Sequence, residues 1–307
     1  MKGKVMRSTG SWYVVMTEDG HLHNCRLKGR FRLDDHKKSN PVAVGDDVEV
    51  SKDEHHDVVI SKILPRNNYI SRQSPRHMQS RNIIAANLDQ AFLVATVANP
   101  RTSTGFIDRF LVTAEAYHIP AHIIFNKQDA MTEKEAAVQA TYQEIYEQAG
   151  YAVHLVSATE KANIEPLKDL MRDKVTLVAG HSGVGKSTLI NAIDPALNLR
   201  VGDISAKHLK GTHTTTFAEM FVLPFGGYII DTPGIKEFGI LDLEPEEVGH
   251  YFPEMRDRLQ ECQFNNCLHL DEPKCAVKDA VGAGEISLER YKNYENILND
   301  ARQLPKY

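Results

Sequence analysis

Gly180-His181-Ser182-Gly183-Val184-Gly185-Lys186-Ser187 has the spacing G-x-x-x-x-G-K-S of a phosphate-binding P-loop. The apolar run Val175 to Ala179 before it reads as a buried strand, and Ser187 to Ala192 after it reads as the start of a helix. That context separates the motif from a chance glycine-rich loop. Glycines let backbone N–H groups turn inward around phosphate oxygens, and the helix N-terminus adds partial positive charge. Lys186 is expected to reach the β- and γ-phosphates and Ser187 to ligate Mg²⁺. Gly180, Ser182, Gly183, Val184, Gly185 and Thr188 complete the expected phosphate cradle.

The base is set upstream. Asn126-Lys127-Gln128-Asp129 follows the apolar run Ala121 to Phe125 and matches N-K-x-D. A carboxylate at Asp129 accepts two hydrogen bonds from guanine, and adenine has no such donor pair, so the residue selects GTP over ATP. Ser157-Ala158, after the strand-like Ala152 to Val156, supplies a short motif of the kind that supports guanine. Beyond the P-loop come Gly211-Thr212-His213-Thr214-Thr215-Thr216 and Asp231-Thr232-Pro233-Gly234, the second being the D-x-x-G of switch II. In ordinary GTPases the P-loop comes first and N-K-x-D late. Here N-K-Q-D precedes the P-loop by about fifty residues, so the GTPase is circularly permuted.

This motif order, with G-x-H-T-T before D-T-P-G, closely resembles the ribosome small subunit-dependent GTPase A family of bacteria, and the resemblance covers nearly the whole chain. It implies an N-terminal OB-fold, a permuted GTPase domain and a C-terminal zinc domain. It also implies a role in late maturation of the small ribosomal subunit, with that subunit and its 16S rRNA as partners.

Composition is consistent with a soluble protein of two or three domains. The 307 residues are 42% hydrophobic and 25% charged. No run approaches the length of a transmembrane helix, and the N-terminus lacks the apolar core of a signal peptide, so a cytoplasmic protein without membrane contact, and a monomer, is expected. A net charge of −5 argues against wholesale nucleic-acid binding. Charge is nonetheless uneven: up to Arg81 there are about fifteen Lys/Arg against about ten Asp/Glu.

Residues 1 to 65 read as five short strands, which fits an OB-type barrel: Trp12 to Met16, His21 to Leu33, two strands around the turn in Pro41 to Val50, and Val58 to Leu64. Arg26, Lys28, Arg30 and Arg32 fall two apart and would line one strand face, either as a solvated surface or as an rRNA contact. Trp12 and Phe31 are candidates for base stacking, although a lone Trp in a small barrel is more often core. Cys25 reads as a small barrel hydrophobe. Pro65 to Arg81 reads as a polar linker. Strands Ala91 to Val97, Ala121 to Phe125, Ala152 to Val156 and Gly227 to Ile230 then alternate with helices near Gly105 to His118, Thr132 to Ala149 and Asn163 to Met171. That alternation implies a parallel sheet covered on both faces, with the motifs at the carboxyl ends of its strands.

Leu199 to Thr216 is read as switch I. Thr215, or alternatively Thr214, would close on Mg²⁺ and the γ-phosphate; Asp231 would hold Mg²⁺ through water; Gly234 would donate its N–H to the γ-phosphate. Ile235 stands where many small GTPases carry a water-orienting glutamine, so another residue must hold the attacking water. His213 is the candidate, supported by the G-x-H-T-T resemblance, with a purely structural switch role as the alternative. Toward the C-terminus, Cys262-x4-Cys267-x-His269-x5-Cys275 offers three thiolates and an imidazole suited to one structural Zn²⁺, and an iron–sulfur centre fits this donor set less well. A helix over Ser287 to Arg302 is expected to pack on that region.

The sequence therefore predicts an OB-type barrel (1–68), a circularly permuted α/β P-loop GTPase domain (69–241) and a zinc-binding domain with helices (242–307). It predicts hydrolysis of GTP to GDP on the small subunit. The competing reading is an RNA-binding assembly module that senses guanine nucleotide with little turnover. A permuted GTPase of the large subunit is disfavoured by the barrel and the zinc cluster.

Overall fold

Alternating burial along short strands builds a barrel at the N-terminus of the computed structural model, which describes residues 1–28, 41–54, 56–73, 81–199, 218–232 and 243–303. The strands are β1 (Lys2–Ser8), β2 (Tyr13–Thr17), β3 (Leu22–Leu27), β4 (Asp47–Lys52) and β5 (Val58–Ile63). β1, β2 and β3 form an antiparallel meander, β3 pairs parallel with β5, β5 pairs with β4, and β4 returns to β1. That order closes the sheet and removes its free edges. Val5, Tyr13, Val15, Cys25, Val48, Val50 and Ile60 fill it.

The sequence expectations change or are decided at four points here. The first strand is Lys2–Ser8, which the charged N-terminal pattern conceals, and the stretch before the Asp46 turn forms a single bridge, Val44 to Ala85, instead of a strand. Trp12 is not core: it is 47% exposed, and the Arg26 guanidinium lies 4.0 Å from its ring centroid. The expected linker, Pro65 to Arg81, contains β6 (Tyr69–Gln73), which pairs as an antiparallel ribbon with β7 (Arg81–Ala86) beyond it, and Ile70 and Ala85 of that ribbon lie in the central core. Cys25 is the buried hydrophobe expected, its thiol pushed up to about 11 by burial. Arg30, Phe31 and Arg32 lie outside the described residues.

The central sheet runs through β8 (Gln90–Ala95), α1 (Thr104–Ala116), β9 (Ala121–Phe125), α2 (Glu133–Gln148), β10 (Ala152–Leu155), α3 (Glu165–Met171), β11 (Val175–Ala179), α4 (Lys186–Ile193), β12 (Glu219–Val222) and β13 (Tyr228–Asp231). Its order is β10-β9-β8-β11-β13-β12, with the first five parallel and β12 antiparallel. Period-2 alternation divides the side chains: Ala91, Leu93 and Ala95 face α1 and α2, while Phe92 and Val94 face α3 and α4. α2 begins with a full capping box, in which Thr132 and Glu135 satisfy each other's backbone N–H. β12 has no counterpart in the sequence reading, and it also receives the barrel. Arg7 of β1 pairs with Glu219 in register and as an ion pair, so barrel and central sheet form one eleven-stranded sheet. At the same junction, fully buried Asp46 accepts both Nε (2.6 Å) and Nη2 (2.7 Å) of Arg66.

The C-terminal part holds α5 (Pro253–Arg256), α6 (Ala276–Gly282) and α7 (Leu288–Gln303) around a third core of Val248, Phe252, Met255, Tyr294, Ile297 and Leu298. Val112 of α1 belongs to that core, although Phe106, Ile107 and Phe110 of the same helix belong to the central one. Among the described residues no helix is long and apolar enough to cross a membrane.

Candidate functional site

Fully buried β11 delivers the loop that begins at Gly180. Gly180 has φ +147°, and a Cβ there would sit 2.3 Å from the Val94 carbonyl oxygen, so no side chain fits. Gly185, at φ +92°, opens α4, and a Cβ there would lie 2.4 Å from Asn126 Nδ2. Both glycines are required by close approach of backbone and amide, not by turn geometry alone. Lys186 is buried, and its ammonium donates to the carbonyls of Gly180 and His181, each at 2.8 Å. Burial lowers its pKa, countered in part by Asp231. Burial likewise raises the Asp231 carboxyl, countered by Lys186. Ser187 and Thr188 follow in the first turn of α4, both partly buried. Asp231 ends β13, and buried Thr232 donates to the Val178 carbonyl at 3.0 Å, pinning the switch II strand end against β11.

The base motif reaches this loop through one side chain. Asn126 is buried at the end of β9; its Nδ2 donates to the Val184 carbonyl (3.0 Å) and its Oδ1 accepts from the Ala158 N–H (3.0 Å). Three motifs far apart in sequence therefore meet at one amide. Lys127 adopts the left-handed conformation, φ +68°, and its ammonium donates to the Asn99 carbonyl at 2.5 Å. The Ser157 hydroxyl donates to Asp129 Oδ1 and accepts from the Glu160 N–H at 3.1 Å. The Asp129 carboxylate is thus held in orientation with one oxygen already paired.

The structure brings Asn126, Lys127, Asp129, Ser157, Ala158, the P-loop and Asp231 together. Gly211, His213, Thr214, Thr215, Gly234 and Ile235 lie outside the described residues. His181 occupies an unspecified position of G-x-x-x-x-G-K-S, so the motif gives it no role. Its partly buried ring stacks on Phe106 of α1, with centroids 3.7 Å apart and planes at 29°. No periodicity marks that contact, because Phe106 reads simply as a core residue of an amphipathic helix.

A second centre stands at the C-terminus. The ligand atoms of Cys262, Cys267, His269 and Cys275 lie within 4.8 Å of one another. His269 Nδ1 is 3.3 Å from Cys275 Sγ and 3.7 Å from Cys262 Sγ. A tetrahedron with metal–sulfur bonds of about 2.3 Å has sulfur–sulfur edges near ~3.8 Å, so this donor set fits a closed four-coordinate site. The surrounding residues hold the ligands in place. Glu272 accepts the N–H groups of Leu268 and Leu270, both at 2.9 Å, while the hydroxyls of Tyr291 and Tyr294 on α7 donate to the carbonyls of His269 (2.5 Å) and Leu268 (2.6 Å).

The C-terminal unit is fastened to α1 by a buried ionic cluster that the sequence reading did not identify. Arg290, 1% exposed, donates to Asp108 (2.6 Å) and in a fork to Glu254 (2.7 and 3.0 Å), and Asn293 donates to the second Asp108 oxygen at 2.6 Å. Burial alone would lower the Arg290 pKa, but Asp108 and Glu254 reverse that and hold it well above its usual value.

Comparison with known proteins agrees with this geometry. The RsgA GTPase family model matches residues 63–241, and the RsgA N-terminal domain model matches residues 2–60. The chain is 52% identical over 301 residues to a small ribosomal subunit biogenesis GTPase RsgA of Christiangramia forsetii, covering 97% of this chain and 96% of that protein. It is 53% identical to the protein of the same name from Flavobacterium psychrophilum, covering 97% and 92%. Among solved structures it is similar to YjeQ from Thermotoga maritima, with 37% identity, a TM-score of 0.79 and 99% of each chain covered. It is also similar to YloQ, a circularly permuted GTPase, with 32% identity, a TM-score of 0.73 and coverage of 100% and 96%.

Proposed function

The chain belongs to the RsgA GTPase family, and from that premise we propose that it hydrolyses GTP to GDP and phosphate on the small ribosomal subunit during late maturation. The observation that carries this reading is Asn126, which joins base motif, guanine-supporting motif and P-loop despite their permuted order. Guanine pairs with Asp129 and rests against Ser157 and Ala158. Phosphates lie on the backbone of 180–188, and Lys186 leaves its two carbonyls for the β- and γ-phosphates. Mg²⁺, held by Ser187, Thr215 and Asp231, offsets phosphate charge when bound. His213 orients the attacking water in place of the glutamine that Ile235 replaces, and Gly234 reports the γ-phosphate.

The domain units are 1–68, 69–241 and 242–307. Zn²⁺ is the metal that the three thiolates and one imidazole of the C-terminal unit suit; it fixes that loop structurally. The barrel contacts 16S rRNA, with the exposed Trp12–Arg26 pair as a stacking surface beside the basic strand. The protein works as a cytoplasmic monomer. The chain leaves switch II directly into the C-terminal unit, so loss of the γ-phosphate is transmitted there and loosens the grip on rRNA.

The test is GTP turnover by purified protein with and without small subunits. Stimulation by small and not large subunits is expected. Unstimulated, negligible turnover with nucleotide-dependent subunit binding would favour a nucleotide-sensing RNA-binding module. His213→Ala is expected to keep GTP affinity and subunit binding while losing most of the stimulated rate, since orientation by one residue is typically worth about 10²–10⁴-fold. Undiminished stimulation would assign the water to another group.

A further inference from the structure

We propose that Phe106 and His181 are positioning residues for Lys186, and that they take their place from the Cys3His unit through α1. The inference rests on the reading of 180–188 as a GTP-binding loop and adds a control element to it. The contacts are continuous. Lys186 Nζ is bound to the His181 carbonyl at 2.8 Å. The His181 ring is stacked at 3.7 Å on Phe106, in the first turn of α1. On the other side of that turn, Thr104 Oγ1 donates to Glu289 at 2.6 Å, and Asp108 accepts from Arg290 and Asn293, both at 2.6 Å. Glu289, Arg290 and Asn293 stand on α7, whose Tyr291 and Tyr294 hold the carbonyls beside the His269 ligand.

Helical geometry makes α1 suited to transmit displacement. Residues 104 and 108 share one face and residue 106 lies on the opposite one, so the α7 contacts and the His181 stack meet opposite sides of one rigid rod. Asp108 and Arg290 are both buried, with no water to replace a lost partner. Gly180, next to His181, packs so closely on the Val94 carbonyl that a Cβ there would sit 2.3 Å from it. A shift of α7 therefore tilts α1, and the compliant point is the His181 peptide, whose carbonyl sets where Lys186 rests. Lys186 must leave that carbonyl to meet phosphate, so nucleotide and the state of the C-terminal unit bias the same contact. Such coupling is reciprocal.

The experiment uses the full chain. GDP affinity, kcat and KM for GTP are measured, with hydrogen exchange across residues 262–294, for wild type, Phe106→Leu, His181→Gln and Phe110→Leu. Phe110 is buried in the same core one turn further along and serves as the control for lost packing. In wild type, GDP should raise protection across 262–294. Phe106→Leu and His181→Gln should lose that response and lower kcat by up to about 10²-fold, the cost of a small misplacement of a positioned group, with a smaller change in KM. Phe110→Leu should lower the melting temperature yet keep both the response and kcat. If Phe106→Leu fails to fold, His181→Gln, whose ring is partly exposed, carries the test. Wild-type kcat and exchange response in both variants would overturn the proposal, as would equal damage by Phe110→Leu. A wild type that binds neither GDP nor GTP would instead overturn the GTPase reading itself.

Discussion

Asn126 satisfies two backbone groups that would otherwise be buried and unpaired, the Val184 carbonyl and the Ala158 N–H. Asn126→Ala removes both partners at once, and each orphaned group costs about 1–3 kcal/mol. The expected outcome is a lower unfolding midpoint together with weaker GDP binding, checked by denaturant titration and fluorescence titration on the same samples. Asp129 makes a contrasting case, because Ser157 holds one oxygen and the proposed guanine would take the other. Asp129→Asn should weaken GTP by about 2–4 kcal/mol and favour xanthosine triphosphate, whose ring presents a carbonyl that needs a donor. An unchanged KM for GTP would sink the guanine assignment. At this scale the sequence was informative because recognition chemistry fixes residue types at fixed spacing. It said nothing of the Phe106–His181 stack or the Lys127 contact to Asn99, since those depend on which loops fold together.

The helices and parallel strands of the central sheet were legible because their burial follows period 3.6 or forms continuous apolar runs. β9 and β11 appear with the bounds read from sequence. The strands that escaped notice are those whose pattern carries charge. β1 spaces lysines among its buried valine and methionine, and β12 is only Glu219-Met220-Phe221-Val222. Arg290 was missed for a related reason. On α7 the apolar stripe Leu288, Tyr291, Tyr294, Ile297 and Leu298 reads as the packing face, although Leu288 is exposed, and a charged residue beside the stripe defaults to solvent. Its burial becomes evident only when Asp108 and Glu254 arrive from two other elements. Arg290→Met should leave both carboxylates buried without their partner, costing about 3–5 kcal/mol. A fall in the urea midpoint of that size checks it, and a change below about 1 kcal/mol would place the cluster among the weak surface ion pairs.

Across the whole molecule, cores that sequence reading would separate are joined by shared elements: Arg7 and Glu219 stitch barrel to central sheet, and α1 lends Val112 to the C-terminal core. Metal removal tests the second joint. Burial pushes the Cys267 thiol up to about 12 and moves Cys275 the same way, so both are protonated near neutral pH until a metal displaces their protons. The sign follows directly: protons compete with metal, and retention should weaken as pH falls. Purified protein should carry about one zinc per chain, released to a colorimetric chelator faster at pH 6 than at pH 8. On the proposed zinc reading, removing the metal takes away what closes His269 and the three sulfurs, and the carbonyls clamped by Tyr291 and Tyr294 would be freed to move. α7 then holds α1 less firmly, while the sheet that builds the nucleotide site keeps its own two cores. Chelation should therefore expose residues 262–303 to exchange and weaken GDP by about 5–150-fold without abolishing binding, and added zinc should restore both. If GDP affinity is untouched while 262–303 unfolds, α1 does not carry the effect. If binding disappears altogether, the C-terminal unit is part of the nucleotide site's own fold and not a separate body coupled to it.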